Sequence, residues 1–175
     1  FGTEEQKQRY LVPAIRGEKI ASLGITEPDT GSDVAAVRTR AVRHNGGWRI
    51  NGSKLYITNG VRADYILLVA RTGTAEEGAH GITLFLVDKE TPGFAVSRKL
   101  KKLGMHSSDT AELSFSDVDV PESAVLGEVG QGFYHLMWEL QGERLIGSAG
   151  SIAGAEVMFE ETLRWCKERE AFGRP

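Results

Sequence analysis

Apolar positions along the chain change their spacing twice. Near the start, Tyr10, Leu11 and Ala14 fall on one side of a helical turn behind Thr3, with Glu4 and Glu5 in the first turn. A threonine N-cap followed by acidic residues suits the positive end of a helix, and Gly17 is a natural stop. From about residue 20 the period becomes two. Trp48 and Ile50 alternate with Arg49, and Leu55 to Ile57 resume beyond Asn51-Gly52, a dipeptide that predicts a tight hairpin turn. His44 to Gly47 predicts another turn just before it. Tyr65–Ala70 and Ile82–Val87 are unbroken apolar runs, expected as strands covered on both faces, and Phe94–Leu100 and Ala111–Val118 read as further strands. After Gly130 the spacing turns helical again: Phe133, Leu136, Met137 and Leu140 form a stripe, and no proline interrupts Gln131 to Glu170.

About seven short strands between residues 20 and 120, with turn signals every eight to twelve residues, predict an antiparallel β-barrel or sandwich. No helical crossover fits between them, which disfavours a doubly wound sheet. The expected fold is therefore α+β: a β-domain flanked by a short N-terminal helix and a long C-terminal one. At about 1.5 Å per residue the last helix would reach ~55 Å, too long to be covered by such a domain alone. Gly147, Gly150 and Gly154 lie on it three and four apart, and each costs about 1 kcal/mol of helix propensity, so a neighbouring helix is expected to approach there. Both ends of the chain are abrupt, and a piece of a longer protein is expected.

Composition narrows the function classes. The 175 residues are 41% hydrophobic and 26% charged, with a net charge of -3. This balance gives no reason to expect nucleic acid or an anionic membrane as partner. Cys166 stands alone, which rules out an internal disulfide or a cysteine cluster for zinc and favours a reducing compartment. No apolar run approaches the roughly 18 residues of a membrane helix. His44, His80, His106 and His135 lack the spacing of metal ligands and read as structural or surface residues. Arg98 to Lys102 reads as a solvated strand edge.

Four stretches concentrate chemistry. The first is TEPDTGSD, Thr26 to Asp33, a loop rich in hydroxyls around a proline and a glycine; it is neither a Walker loop nor a Rossmann fingerprint. The second is YITNG, Tyr56 to Gly60. The third is Glu143-Arg144 in the context ELQGERLIG, where apolar and glycine neighbours could desolvate a carboxylate and lift it toward the range of a general base. The fourth is REAFG, Arg169 to Gly173. Each has a plain structural reading as well: turn geometry, strand termination, a solvated helix face and a helix end with basic residues.

In order, these stretches resemble the acyl-CoA dehydrogenase family. TEPDTGSD is similar to its T-E-P-x-x-G-S-D loop, and YITNG to its W-I-T-N segment. Leu103 to Phe133 (LGMHSSDTAELSFSDVDVPESAVLGEVGQGF) resembles the strand and return before its third domain, and REAFG its R-x-x-F-G. The context of Glu143 is most similar to the long-chain type. The resemblance implies three parts: residues 1–20 as the end of an N-terminal helical domain, 21–128 as a middle β-domain and 129–175 as the first helix of a C-terminal bundle.

It also implies a site. Leu23, Gly24, Ile25, Thr26, Gly31 and Ser32 would bind FAD, with Thr26 on the ring edge; Tyr56, Ile57 and Thr58 would line the other side of the flavin. Arg169 and Phe172 would reach the FAD of a neighbouring subunit. Glu143 would take the α-proton of the acyl-CoA, as in the long-chain and isovaleryl types; most members carry that glutamate later in the chain. Gln141, Gly142 and Arg144 would flank the thioester, Tyr134 the acyl channel, and Ser32, Ala79 and His80 the CoA chain. No metal is implied. Implied partners are an acyl-CoA, an electron-transfer flavoprotein and identical subunits, as a homotetramer or homodimer. The implied home is the bacterial cytoplasm or the mitochondrial matrix. Rival readings are an acyl-CoA oxidase or other flavin enzyme of the same fold and a non-catalytic β-barrel binding module. Two departures stand out: Asp29-Thr30 where Gly-Ala is commoner, and Tyr56 where the family favours Trp.

Overall fold

The computed structural model describes residues 1–174 and divides the chain into two compact units, Phe1–His135 and Leu136–Pro175. In the first unit, Thr3 caps the opening helix as its sequence predicts. Its hydroxyl accepts from the Gln6 amide at 3.2 Å, while the Gln6 side chain accepts from the Thr3 amide at 3.0 Å. The helix runs through Glu4–Gln6, a wide turn at Lys7–Leu11, and Val12–Ile15, and ends at Gly17 with φ 73°. Gln6 also ties it to the sheet by donating to the carbonyls of Ser123 and Val125 at 2.9 and 2.8 Å.

Eight strands follow: β1 Ala21–Gly24, β2 Arg40–His44, β3 Gly47–Thr58, β4 Tyr65–Arg71, β5 Ile82–Asp88, β6 Phe94–Lys99, β7 Thr110–Pro121 and β8 Val125–Leu126. Their order is β6-β7-β3-β2-β4-β5-β8, with β1 added beside β4. The predicted β-domain with its flanking helices is present, but the sheet is mixed and its path does not close into a barrel. β1 runs parallel to β4, with Ala21 opposite Tyr65, and Arg40 of β2 pairs in parallel with Arg71. β4 and β5 are buried along nearly their whole length, as their unbroken apolar runs require. The core gathers Trp48, Ile50, Ile57, Ile66, Leu68, Phe85, Leu113, Phe115 and Val118.

Of the two predicted turns, only the first forms. Asn45 and Gly46, at φ 47° and 77°, make a two-residue link that leaves His44 opposite Gly47. Asn51-Gly52 is not a turn. β3 continues through it, because β7 offers an antiparallel partner on both sides of the dipeptide, from Gly47–Pro121 to Thr58–Thr110. A bulge in β7 takes up the irregularity. There Asp117 adopts φ 51°, and Asn51 clasps it, donating to its carboxylate at 3.0 Å and accepting from its amide at 2.8 Å. Gly52 serves close approach instead: a Cβ there would lie 2.7 Å from Thr39 Cα.

The long helix, Gly132–Glu168, begins against β5, where a Cβ on Gly132 would sit 2.8 Å from Thr83 Cα. In the second unit its side chains from Gln141 on are exposed on every side, among them Leu145, Ile146, Ile152, Phe159 and Trp165. Large apolar side chains exposed on more than one face of a helix suit burial among neighbours. Gly147, Gly150 and Gly154 likewise face open space.

Candidate functional site

Two of the four chemistry-bearing stretches come together at the end of β1. The chain leaves that strand at Gly24, where a Cβ would crowd Ile66 and Leu68 at 3.2 and 3.3 Å, and enters the TEPDTGSD loop. Glu27 and Thr30 close a tight turn over Pro28-Asp29, with amide-to-carbonyl distances of 2.8 and 3.2 Å in the two directions. Proline's fixed φ suits such a turn. The Asp29 carboxylate faces solvent and pairs with Arg38 at 3.1 Å, so this half of the departure from the family pattern lies on the outside of the turn, whereas Thr30 is buried and its hydroxyl donates to the Ala36 carbonyl at 3.3 Å. The loop is stitched to β3 by the Leu55 amide, which donates to the Thr26 carbonyl at 2.8 Å.

That bond brings YITNG alongside the loop. Between Lys54 and Ile57, β3 carries one residue more than β7 opposite, and Tyr56 absorbs it at φ 60°. Alternation therefore slips by one. Lys54 and Ile57 point inward, whereas Tyr56 and Thr58 are exposed. Asn59 and Gly60 then end the strand, with the Asn59 amide on the Asp109 carbonyl at 3.2 Å and the Val61 amide on the Asp109 carboxylate at 2.9 Å.

Inside this corner lies a pair to which the sequence reading assigned no role. Lys54 Nζ is 2.9 Å from Glu27 Oε1 and 2.9 Å from the Ile25 carbonyl, and both side chains are buried. Glu27 also accepts from the amides of Arg38 at 2.6 Å and Thr39 at 2.8 Å. Burial pulls the Lys54 ammonium down to about 8, with Glu27 opposing the fall. Burial on its own would raise the Glu27 carboxyl, but Lys54 and the hydrogen bonds from Thr39 and Arg38 outweigh it and hold the group below its ordinary value. The signal for this pair was a lysine on the inward phase of β3, in step with Ile50.

A second grouping joins Ala79, His80 and Tyr134. Ala79 and His80 sit in the helical turn Gly78–Gly81, and His80 Nε2 lies 3.1 Å from the Tyr134 hydroxyl, with the rings 5.3 Å apart. Arg71, buried at the end of β4, organises this turn. It donates to the carbonyls of Thr74 at 2.9 Å and Gly78 at 3.2 Å, and also to those of Val37 at 3.0 Å and Ala35. One guanidinium thus fixes both the segment that follows TEPDTGSD and the turn that carries His80. Nothing in the sequence pattern set Arg71 apart from a surface arginine.

In the second unit Gln141, Gly142, Glu143 and Arg144 are exposed on the long helix. Glu139, one turn before Glu143, is half-buried; burial and the neighbouring Glu143 carboxyl push it up to about 7. Arg169 and Phe172 follow the helix, where Ala171 and Arg174 close a small turn with Phe172 at φ 57° and fully exposed.

The corner suits a planar, polar-edged ring. Among the described residues the hydroxyls of Thr26, Ser32 and Thr58 take no protein partner, the Tyr56 ring is open to solvent, and a Cβ on Gly31 would touch only a Thr26 methyl at 4.0 Å. Uncommitted donors beside an exposed aromatic face are what an isoalloxazine system requires. No group of three or more His, Cys, Asp or Glu able to hold a metal occurs among the described residues, nor does any helix long and apolar enough to cross a membrane.

Comparison with known proteins agrees with the motifs. Residues 22–118 match the acyl-CoA dehydrogenase middle domain and residues 130–175 the acyl-CoA dehydrogenase C-terminal domain. The chain belongs to the acyl-CoA dehydrogenase family. It is 47% identical to the mitochondrial long-chain specific acyl-CoA dehydrogenase of Mus musculus over 175 residues, covering 99% of this chain and 41% of the relative. A probable acyl-CoA dehydrogenase from Mycobacterium abscessus superposes with a TM-score of 0.93 at 46% identity, covering 99% of this chain and 46% of the other. The FAD complex of PigA superposes with a TM-score of 0.94 at 33% identity, covering 99% and 45%. The chain spans less than half the length of these relatives.

Proposed function

We propose that the protein to which this chain belongs is an FAD-dependent acyl-CoA dehydrogenase. It desaturates a medium- or long-chain fatty acyl-CoA to the trans-2-enoyl-CoA. The observation that carries the reading is the junction of TEPDTGSD and YITNG through the Leu55–Thr26 bond, which presents Thr26, Ser32, Tyr56 and Thr58 outward on one corner. FAD, when bound, supplies the hydride acceptor that no side chain can provide. Leu23, Gly24, Ile25, Thr26, Gly31 and Ser32 hold one side of the ring; Tyr56 and Thr58 hold the other, with Ile57 contributing its backbone between them because its side chain is in the core. Hydroxyl and amide donors aimed at the ring edge stabilise negative charge that builds there.

Ala79, His80, Ser32 and Tyr134 contact the acyl-CoA. Glu143 removes the α-proton, with Gln141, Gly142 and Arg144 beside the thioester. Arg169 and Phe172 complete the FAD site of a neighbouring subunit in a homotetramer or homodimer. The domain division is 1–20, 21–128 and 129–175. Electrons pass to an electron-transfer flavoprotein, in the mitochondrial matrix or the bacterial cytoplasm.

The test uses the full-length protein. It is expected to purify yellow, to bleach with acyl-CoA, and to turn over with electron-transfer flavoprotein rather than produce peroxide in air. Glu143→Gln is expected to retain flavin and lose about 10³-fold or more of turnover. Full activity in that variant would assign the base to a glutamate elsewhere, and peroxide as the main product would make the protein an oxidase.

A further inference from the structure

We propose that the buried Lys54–Glu27 pair is the positioning device of the flavin corner, holding Ile25, Thr26 and Glu27 in the geometry that presents the Thr26 hydroxyl to the ring. The proposal rests on the reading of this corner as an FAD site. Three consecutive residues are tied to two neighbouring positions of β3. The Ile25 carbonyl and the Glu27 carboxylate both receive Lys54 Nζ at 2.9 Å, and the Thr26 carbonyl receives the Leu55 amide at 2.8 Å. Glu27 extends the fixture by accepting from the amides of Arg38 and Thr39, which anchors the far side of the loop. Thr26 is left with its carbonyl fixed and its hydroxyl uncommitted among the described residues.

The pair is also poorly explained by stability alone. Desolvating two charges offsets most of their attraction, and apolar residues of similar volume would fill the same space without loss. Charge-assisted hydrogen bonds give direction, which an apolar contact cannot. The direction here is along the backbone of one loop, toward the residue immediately outside the pair. Lys54 is two residues from Tyr56 on the opposite wall of the corner, so a single ammonium ties both walls together.

The experiment compares full-length wild type, Glu27→Gln, Lys54→Met and the double variant. Arg49→Gln serves as control, since it breaks an ion pair of 2.7 Å with Asp119 elsewhere on the same sheet. The readouts are the FAD dissociation constant, the flavin midpoint potential and the melting temperature of the apoprotein. Glu27→Gln and Lys54→Met are expected to weaken FAD binding by about tenfold or more and to shift the potential, while Arg49→Gln changes neither. The double variant removes both charges together and so avoids an isolated buried ion. It is expected to fold with a melting temperature near wild type and still to bind FAD about tenfold more weakly. Wild-type affinity and potential in the double variant would overturn the proposal, leaving the pair a packing feature only. A wild type that binds no FAD would instead overturn the functional reading beneath it, so the two failures are separable.

Discussion

Lys54 and Tyr56 stand two positions apart on one strand and face opposite ways, the first 0% and the second 66% exposed. Regular alternation would bury both. The extra residue in β3 is what separates them, and it obliges Tyr56 to adopt φ 60°, a conformation that costs an L-residue roughly 1–2 kcal/mol and glycine almost nothing. Tyr56→Gly is therefore expected to leave the melting temperature of the 175-residue chain within about 3 °C of wild type or to raise it, although an aromatic side chain is lost. In the full-length protein the same change is expected to reduce flavin content, read by visible absorbance. A large drop in melting temperature would mean that the ring packs in the fold rather than serving the surface.

Breaking the buried pair from one side has a different signature. Lys54→Met strands the Glu27 carboxylate in a site it shares with the Arg38 and Thr39 amides, and the cost of an uncompensated buried charge is about 3–5 kcal/mol. Adding Glu27→Gln removes that charge. Urea midpoints of the 175-residue chain are expected to fall steeply in the single variant and to recover most of the way in the double. Additive losses would show that the two side chains act independently.

Arg71 is expected to be intolerant even of lysine. Its planar fork reaches four carbonyls in two separate segments, and an ammonium on a shorter geometry leaves at least two of them unpaired. At about 1–3 kcal/mol for each orphaned group, the loss of two makes Arg71→Lys cost about 2–6 kcal/mol. The damage should be local first. Limited proteolysis is expected to cut between residues 74 and 78 in the variant well before global unfolding, and unchanged protection there would contradict the assignment.

The sequence carried the strands and the candidate loop further than the strand irregularities. Unbroken runs such as Tyr65–Ala70 marked buried strands correctly, because burial on both faces leaves no room for polar residues. Asn51-Gly52 misled because a local turn signal competes with a ladder that only tertiary structure supplies; β7 pairs across it, and the carboxamide of Asn51 closes a bulge instead. Motif order disclosed that TEPDTGSD and YITNG belong together, but not how. The reversal of phase at Tyr56 depends on a one-residue mismatch with a strand more than fifty positions away, which no local pattern encodes. Arg71 was invisible for a related reason, since its acceptors are backbone carbonyls, and those have no residue type to read.

Glu139 is pushed from its ordinary 4.5 up to about 7, first by burial and then by the neighbouring Glu143 carboxyl. Between those two values the folded chain keeps a proton that the unfolded chain releases, so the folded state binds more protons and its stability falls as pH rises through this window. Glu139→Gln imitates the protonated form. The variant and the wild type are therefore expected to melt together near pH 4.5, with the variant progressively more stable above it and the gap levelling off beyond about pH 7. Thermal melts of the 175-residue chain across pH 4.5 to 8.5 measure this directly. A gap that is constant with pH would mean that the substitution acts through packing, and a gap that closes as pH rises would reverse the sign of the assigned shift.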